Sequence, residues 1–202
     1  MSINKPIQLG LCCINMTLRG QNPPIYCSRR MIIRKIKQMG INALKHKILL
    51  NIKDLANLIK WNEENGIKVL RISSEIFPHF SNPKVNDYDM DFADNLLKKI
   101  GFLARKLNHR LTFHPGQYNV VGSPTEKYFL QTSCNLDYQA QILDRMGMGV
   151  DSVMVVHGGG MYGDKEKTKQ RWCSNFKRLT EPVKRRLVLE NCEKSFSIED
   201  CL

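Results

Sequence analysis

Short apolar runs alternate along this chain with longer amphipathic ones, and the two kinds follow different periods. The runs IQLGLCC (7–13), KVLRISS (68–74), RLTFH (110–114), SVMVVHG (152–158) and RLVLEN (186–191) are compact and rich in Val, Ile and Leu. Runs of that kind predict strands covered on both faces, as in a parallel sheet. Between them, apolar residues recur every three or four positions. NIKDLANLIKWNEEN (51–65) sets Ile52, Leu55, Leu58 and Ile59 on one helical face, and Asn65-Gly66 ends it. DFADNLLKKIGFLARKL (91–107) carries a stripe of Phe92, Leu96, Ile100, Leu103 and Leu107, which predicts packing against a core. A basic helix is expected to start near Ser28, with others over about 124–146 and 165–182 and from Ser197 onward.

The resulting order is βα repeated five times, the signature of an α/β fold with a parallel sheet. A closed TIM-type (βα)8 barrel needs eight such units and typically about 250 residues. The 202 residues therefore read as a barrel cut short or as an open five-stranded sheet, and the first is favoured: one incomplete barrel domain, 1–202, holding about five βα units.

Polar residues stand where the strands should end. His79 follows the second strand, and His114, His157 and Glu190 close the third, fourth and fifth. The intervals are 35 residues from His79 to His114, 43 from His114 to His157 and 33 from His157 to Glu190. Each is about the chain needed for a strand and a returning helix. In a βα barrel the strand C-termini converge on the face that carries the active site. Imidazoles and a carboxylate brought together there form a donor set for Mn, Fe or Zn. His46, inside a Lys-rich helical stretch, and His109, ahead of the third strand, fall away from that face.

Local motifs add detail. In HPGQYN (114–119), Pro115-Gly116 turns the backbone and projects Gln117 and Tyr118, which suit hydrogen bonding and stacking on bases. In VVHGGGMYGD (155–164), three glycines let a backbone or phosphate approach, without the spacing of a Walker loop. Glu190 ends an apolar strand, a costly place for a carboxylate unless it binds a cation or pairs. Asn15, in the first loop, is a polar neighbour for such a site. Arg71, inside the second strand, suits neutralising a site carboxylate or phosphate, or a structural ion pair.

Composition narrows the function class. Charged residues at 25% and apolar residues at 42% describe an ordinary folded protein. No run approaches the roughly 18 apolar residues of a membrane span. The start, MSINKPIQLG, lacks a signal-peptide layout, so an intracellular protein of cytoplasm or nucleus is expected. Seven cysteines without paired CxxC spacing are expected as reduced thiols. A net charge of +12 favours a polyanionic partner, although a Lys-rich composition raises charge without one.

Taken together, LGLCCIN, RISSEIFPHF, LTFHPGQYNVVGSP, VVHGGGMYGDK and LVLEN resemble the UV damage endonuclease family in order and spacing. The resemblance implies a TIM barrel with a cluster of divalent metal ions, usually Mn2+. It implies DNA repair by hydrolysis of the phosphodiester bond 5′ to UV photoproducts in duplex DNA, with no obligate protein partner and no membrane. On this resemblance His114, His157 and Glu190 match metal ligands and carry the catalysis. Gln117 and Tyr118 match a pair that wedges into the duplex at damaged bases. Asn15 matches a polar residue near the metals, and Lys165 a basic residue that contacts phosphate. Some members have a His-Pro pair where this chain has Asn82-Pro83, so His79 is the expected substitute ligand. The family's further ligands, beyond its sixth strand, are absent from these residues. Rival readings are another barrel of the same kind, an endonuclease-IV-like abasic-site nuclease or a sugar isomerase, against which the HPGQY loop and basic charge argue; a non-catalytic DNA-binding fragment with an incomplete metal cluster; and a structural remnant that binds nothing.

Overall fold

The computed structural model describes residues 7–85, 88–192 and 194–202. Among these are five strands: β1 (Leu9–Cys12), β2 (Ile67–Ile72), β3 (Arg110–Phe113), β4 (Met154–His157) and β5 (Leu187–Glu190). They form one sheet in the order β1-β2-β3-β4-β5, with every neighbouring pair parallel. A parallel pair needs a crossover, and helices supply it: α1 (Met16–Arg19), α2 (Ile33–Met39) and α3 (Ile41–Glu64) lie between β1 and β2. α4 (Asp94–Lys106), α5 (Glu126–Arg145), then α6 (Lys165–Arg178) with α7 (Glu181–Lys184) cover the next three crossovers. α8 (Ile198–Cys201) follows β5. Consecutive order and consistent crossovers give five βα units of the expected α/β type.

The core lies between the helices and one face of the sheet. Strand alternation decides which side chains reach it. Leu70 and Ile72 of β2, Leu111 and Phe113 of β3, and Met154 and Val156 of β4 are buried against the helices. α3 adds Leu44, Ile48, Ile52, Leu55, Leu58 and Ile59, all essentially inaccessible.

Three helical expectations shift. The basic helix near Ser28 begins at Ile33 and stops at Gly40, whose φ of +81° breaks it. α3 then starts at Ile41, ten residues before the expected 51, because Leu44 and Ile48 extend the same buried face through an otherwise basic stretch. On α4 the buried face is Leu97, Ile100, Gly101 and Ala104; Leu96 and Leu103, with Phe92 just before the helix and Leu107 just after it, are only partly covered. The rotation follows from size, since small residues let α5 come close. A Cβ built on Gly101 would lie 1.7 Å from the Met146 carbonyl oxygen.

The end of the sheet remote from the strand C-termini is held by ion pairs. His109 Nε2 meets Glu63 Oε2 at 2.9 Å, and Lys68 pairs with the same carboxylate. Their contacts hold the Glu63 carboxyl below the usual carboxylate range, Lys68 contributing most. His46 lies exposed on α3. The most demanding contact is Arg186, 2% exposed, just before β5. Its guanidinium donates to the carbonyls of Met148 at 2.9 Å and Ser152 at 3.1 Å, and to Asp144 Oδ1 at 2.6 Å. It thereby ties the foot of β5 to the turn that leads into β4.

Replacing Arg186 with Leu would leave those buried carbonyls without a donor, each costing about 1–3 kcal/mol. The expected outcome is a loss of about 3–5 kcal/mol, the range for breaking a buried charged pair. Urea unfolding would read it as a lower midpoint with an unchanged slope.

Candidate metal centre

The alternation that buries one face of each strand turns the intervening residues to the opposite face. Thr112 of β3 points away from the helices, and His114 shares its parity one residue past the strand. Val155 and His157 do the same on β4, as do Val188 and Glu190 on β5. Parallel register places His157 directly beside Glu190. His114, beyond Phe113, arrives at the same end.

The three side chains meet. His114 Nε2 lies 2.7 Å from Glu190 Oε2, and His157 Nδ1 lies 3.5 Å from the same oxygen. The two imidazole centroids are 4.8 Å apart at a tilt of 59°. One ligand atom from each residue falls within 4.8 Å of the others. All three are partly accessible, so donors converge on a site open to solvent. Nδ1 of His114 is 3.3 Å from the Pro115 carbonyl oxygen, a neighbour that orients the ring with Nε2 towards Glu190.

His79, the fourth expected ligand, does not join the group. β2 ends at Ile72, and the following turns carry His79 out along the loop, where its φ is +64°. Its Nε2 is 2.7 Å from the Met31 carbonyl oxygen, so the ring is engaged in fixing the first loop to the second. Asn15 is buried and caps α1, its Oδ1 accepting from the Leu18 N–H at 2.9 Å. Its Nδ2 is buried without a hydrogen-bond partner among the described residues.

Arg71 stands on the same face, in register with Cys12 and Thr112. Partial burial works against its charge, but contact with Cys13 and the fields of Cys12, Cys13 and Glu190 outweigh this and raise its pKa. The sequence leaves two roles open for it; among the described residues no carboxylate lies within 4.0 Å of its guanidinium, and its Nε is buried without a hydrogen-bond partner. The residue type alone carries no signal that would choose between them.

Gln117 and Tyr118 sit at the tip of the loop after β3, with Tyr118 87% exposed. The loop is closed below them, where the Asn119 backbone and side-chain N–H groups both donate to the Gly116 carbonyl at 2.9 Å. The Val120 N–H donates to Thr132 Oγ1 of α5 at 3.2 Å, anchoring the far side. The pair borders an open cleft of about 1090 Å3 that His157, Gly159, Lys165 and Asn191 also line.

The glycines after His157 are wedged between neighbouring loops. A Cβ on Gly158 would lie 2.7 Å from the Phe196 ring, and one on Gly159 would lie 2.4 Å from Val120 Cγ1. Gly159 also has a φ of +89°. Lys165 opens α6 and pairs with Asp200 of α8, which Lys169 approaches at 3.4 Å. Lys165, with the Ser197 N–H, holds the Asp200 carboxyl well below the usual carboxylate range. Cys192, in the loop after β5, is held below the ordinary thiol value by the Phe196 and Ser195 N–H groups. Neither the Phe196 contact nor the Asp200 pairing was predictable from spacing, because both depend on how that last loop folds back.

Known proteins align with this arrangement along nearly the whole chain. The family model described as UV-endonuclease UvdE matches residues 7–202. The chain is 44% identical over 200 residues to a protein of Acanthamoeba polyphaga mimivirus, covering 97% of this chain and 60% of that one. It is 39% identical over 208 residues to the UV-damage endonuclease of Schizosaccharomyces pombe, covering 99% of this chain and 35% of that enzyme. The crystal structure of SacUVDE superposes with a TM-score of 0.86 at 28% identity, over 97% of this chain and 64% of that one. The chain thus spans less than two thirds of each of these relatives, with the fold of the TIM type. By the family match and these identities, it belongs to the UV-endonuclease UvdE family.

Proposed function

We propose that this chain provides five βα units of a metal-dependent DNA repair endonuclease that hydrolyses the phosphodiester bond 5′ to UV photoproducts. The observation that carries the reading is the meeting of His114, His157 and Glu190 at the strand ends, beside the exposed Gln117–Tyr118 tip. Two imidazoles and a carboxylate with an open side fit a divalent ion such as Mn2+. A bound divalent ion supplies Lewis acidity at the phosphoryl oxygens and activates a water. His114, His157 and Glu190 would hold it, with the Pro115 carbonyl steadying the His114 ring.

The remaining residues would bind and orient DNA. Gln117 and Tyr118 are rigidly based and exposed, which suits stacking and hydrogen bonding where damage has weakened the duplex. Damaged bases cost less to unstack, and each base stacked on an aromatic ring contributes about 1–3 kcal/mol. Lys165 faces the cleft and would contact phosphate. Asn15, buried with its Oδ1 capping α1, would shape the first loop beside the site rather than touch DNA. The donor set of three residues among the described ones, with His79 engaged by the Met31 carbonyl instead, favours a second reading: a chain that binds DNA without cutting it.

The two readings separate in a nicking assay with Mn2+ on UV-irradiated, undamaged and abasic duplexes. The expected result is nicking of irradiated DNA that a chelator abolishes and that His114→Ala and Glu190→Ala each reduce at least ~100-fold. Calorimetry should show that both variants also lose Mn2+ affinity. Cutting confined to abasic DNA would indicate an abasic-site nuclease, and binding without cutting would indicate the non-catalytic fragment.

Gln117→Ala and Tyr118→Ala should lower the preference for irradiated over undamaged duplex about 10-fold or more. Mn2+ affinity should stay unchanged, since neither side chain belongs to the donor set.

Asp200 predicts a pH signature. Its folded pKa is depressed, so its contribution is present above the ordinary carboxylate range and lost as pH falls through the lowered value. Carboxyl-carbon NMR should find Asp200 still ionised at about pH 3, where ordinary aspartates near 3.9 are largely protonated. Lys165→Ala should bring it back towards that range. Asp200→Asn should free Lys165 and strengthen DNA binding at low salt.

A further inference from the structure

The charge of this chain is segregated. The first 53 residues hold ten Lys and Arg and no Asp or Glu, and residues 54–202 hold 21 Lys and Arg against 19 Asp and Glu. The net +12 is therefore +10 from the first quarter and +2 from everything after it. A Lys-rich composition alone would scatter its charge rather than clear acids from one block.

The fold keeps that block together and mostly unneutralised. Arg29 pairs with Asp54 at 2.6 Å, and Arg30 meets Glu75 at 3.3 Å. Among the described residues, no carboxylate lies within 4.0 Å of Arg34, Lys35 or Lys37 of α2, nor of Lys45, Lys47 or Lys53 of α3. Arg19 of α1 is likewise exposed and free of such a pair. Cations elsewhere are often offset locally: Arg145 by Asp91 and Asp94, Arg178 by Glu126, Arg185 and Arg186 by Asp144.

Position gives the block its partner. The loop from β1 to α2 leaves the strand end where His114, His157 and Glu190 meet. It is tied to the next loop by the contact between His79 and the Met31 carbonyl. Asn51 bonds both loops as well, accepting from the Arg29 N–H and donating to the carbonyls of Arg29 and Ile76. The basic row thus follows the loop that leaves the strand end, along α2 and the first half of α3. At 1.5 Å per residue, α2 and residues 41–53 offer about 10 Å and about 20 Å of helix. Each is shorter than one turn of duplex DNA, about 34 Å, so each can follow a stretch of one backbone. A duplex presents one charge per about 1.7 Å, and unpaired Lys and Arg bind it by releasing counterions.

We infer that α2 and the first half of α3 form a phosphate-backbone track for duplex DNA flanking the site, outside the cleft itself. The inference rests on the proposed function, because it takes DNA to occupy the cleft. The track reads no sequence and no lesion; it adds affinity that depends on salt.

The test is binding of the 202-residue chain to UV-irradiated and undamaged duplexes across a salt series. The variants are Arg34→Gln/Lys35→Gln/Lys37→Gln on α2 and, as an equal change of charge, Lys98→Gln/Lys99→Gln/Lys106→Gln on α4. All six residues are exposed, and far-UV circular dichroism checks that each variant folds. The α2 variant should flatten the plot of log affinity against log salt by about 2–3, while the α4 variant leaves it near wild type. Affinity of the α2 variant should fall at least ~10-fold at low salt for both duplexes, leaving their ratio unchanged. Equal slopes for the two variants, a wild-type slope near zero, or tighter binding to duplex RNA would each overturn the track. Nicking is scored separately: a slope difference without metal-dependent nicking sinks the proposed activity and leaves the track standing.

Discussion

A strand has only two faces, and in a parallel sheet that fact governs the whole molecule. Leu111 and Phe113, Met154 and Val156, and Leu187 and Leu189 must turn towards the helices to cover a core. Their neighbours of opposite parity then have one place to go. His157 and Glu190 share a register position, and His114 reaches the same end from the adjoining strand. A slip of one residue would send Glu190 to the helical side and bring an aliphatic chain to the imidazoles. Arg186, locked to carbonyls at the foot of β5, is what stands against such a slip.

Much of this was legible in the sequence because the signals are local. A polar residue closing a short apolar run marks a strand end, and five such runs at βα spacing give the sheet order. The strand limits lie within two residues of those expected. His79 was misplaced for a physical reason: it follows its strand by a left-handed turn, and no residue pattern tells how far such a turn carries a side chain from the sheet. α3 was underestimated because Lys45, His46 and Lys47 hide the recurrence of Leu44 and Ile48. The α4 stripe was rotated because burial there follows the small residues Gly101 and Ala104, which let α5 approach, rather than the bulkiest ones.

Charge follows a different logic from packing. The acid-free first 53 residues break no rule of helix or core formation, and α3 buries its apolar face regardless. Most of the chain's basic surplus therefore sits where folding does not require it. Later segments mix signs and pair them, as Asp200 does with Lys165 and Lys169 beside the cleft. Two electrostatic environments thus border one site, one of them left open to an anion and the other largely self-satisfied.

The bare backbone at Gly158 and Gly159 links loops that have little else in common. Phe196, after β5, rests against one glycine, and Val120, just past the Gln117–Tyr118 tip, rests against the other. Close-packed contacts of this kind resist compression and transmit displacement. A load applied to Tyr118 by a bending duplex would travel through Val120 and the glycines to Phe196, six residues past Glu190. The tip and the loop after β5 are in that sense parts of one packed unit. A smaller side chain at position 120 would loosen the glycine contact and, on the proposed function, separate the tip from the loop after β5 without touching either.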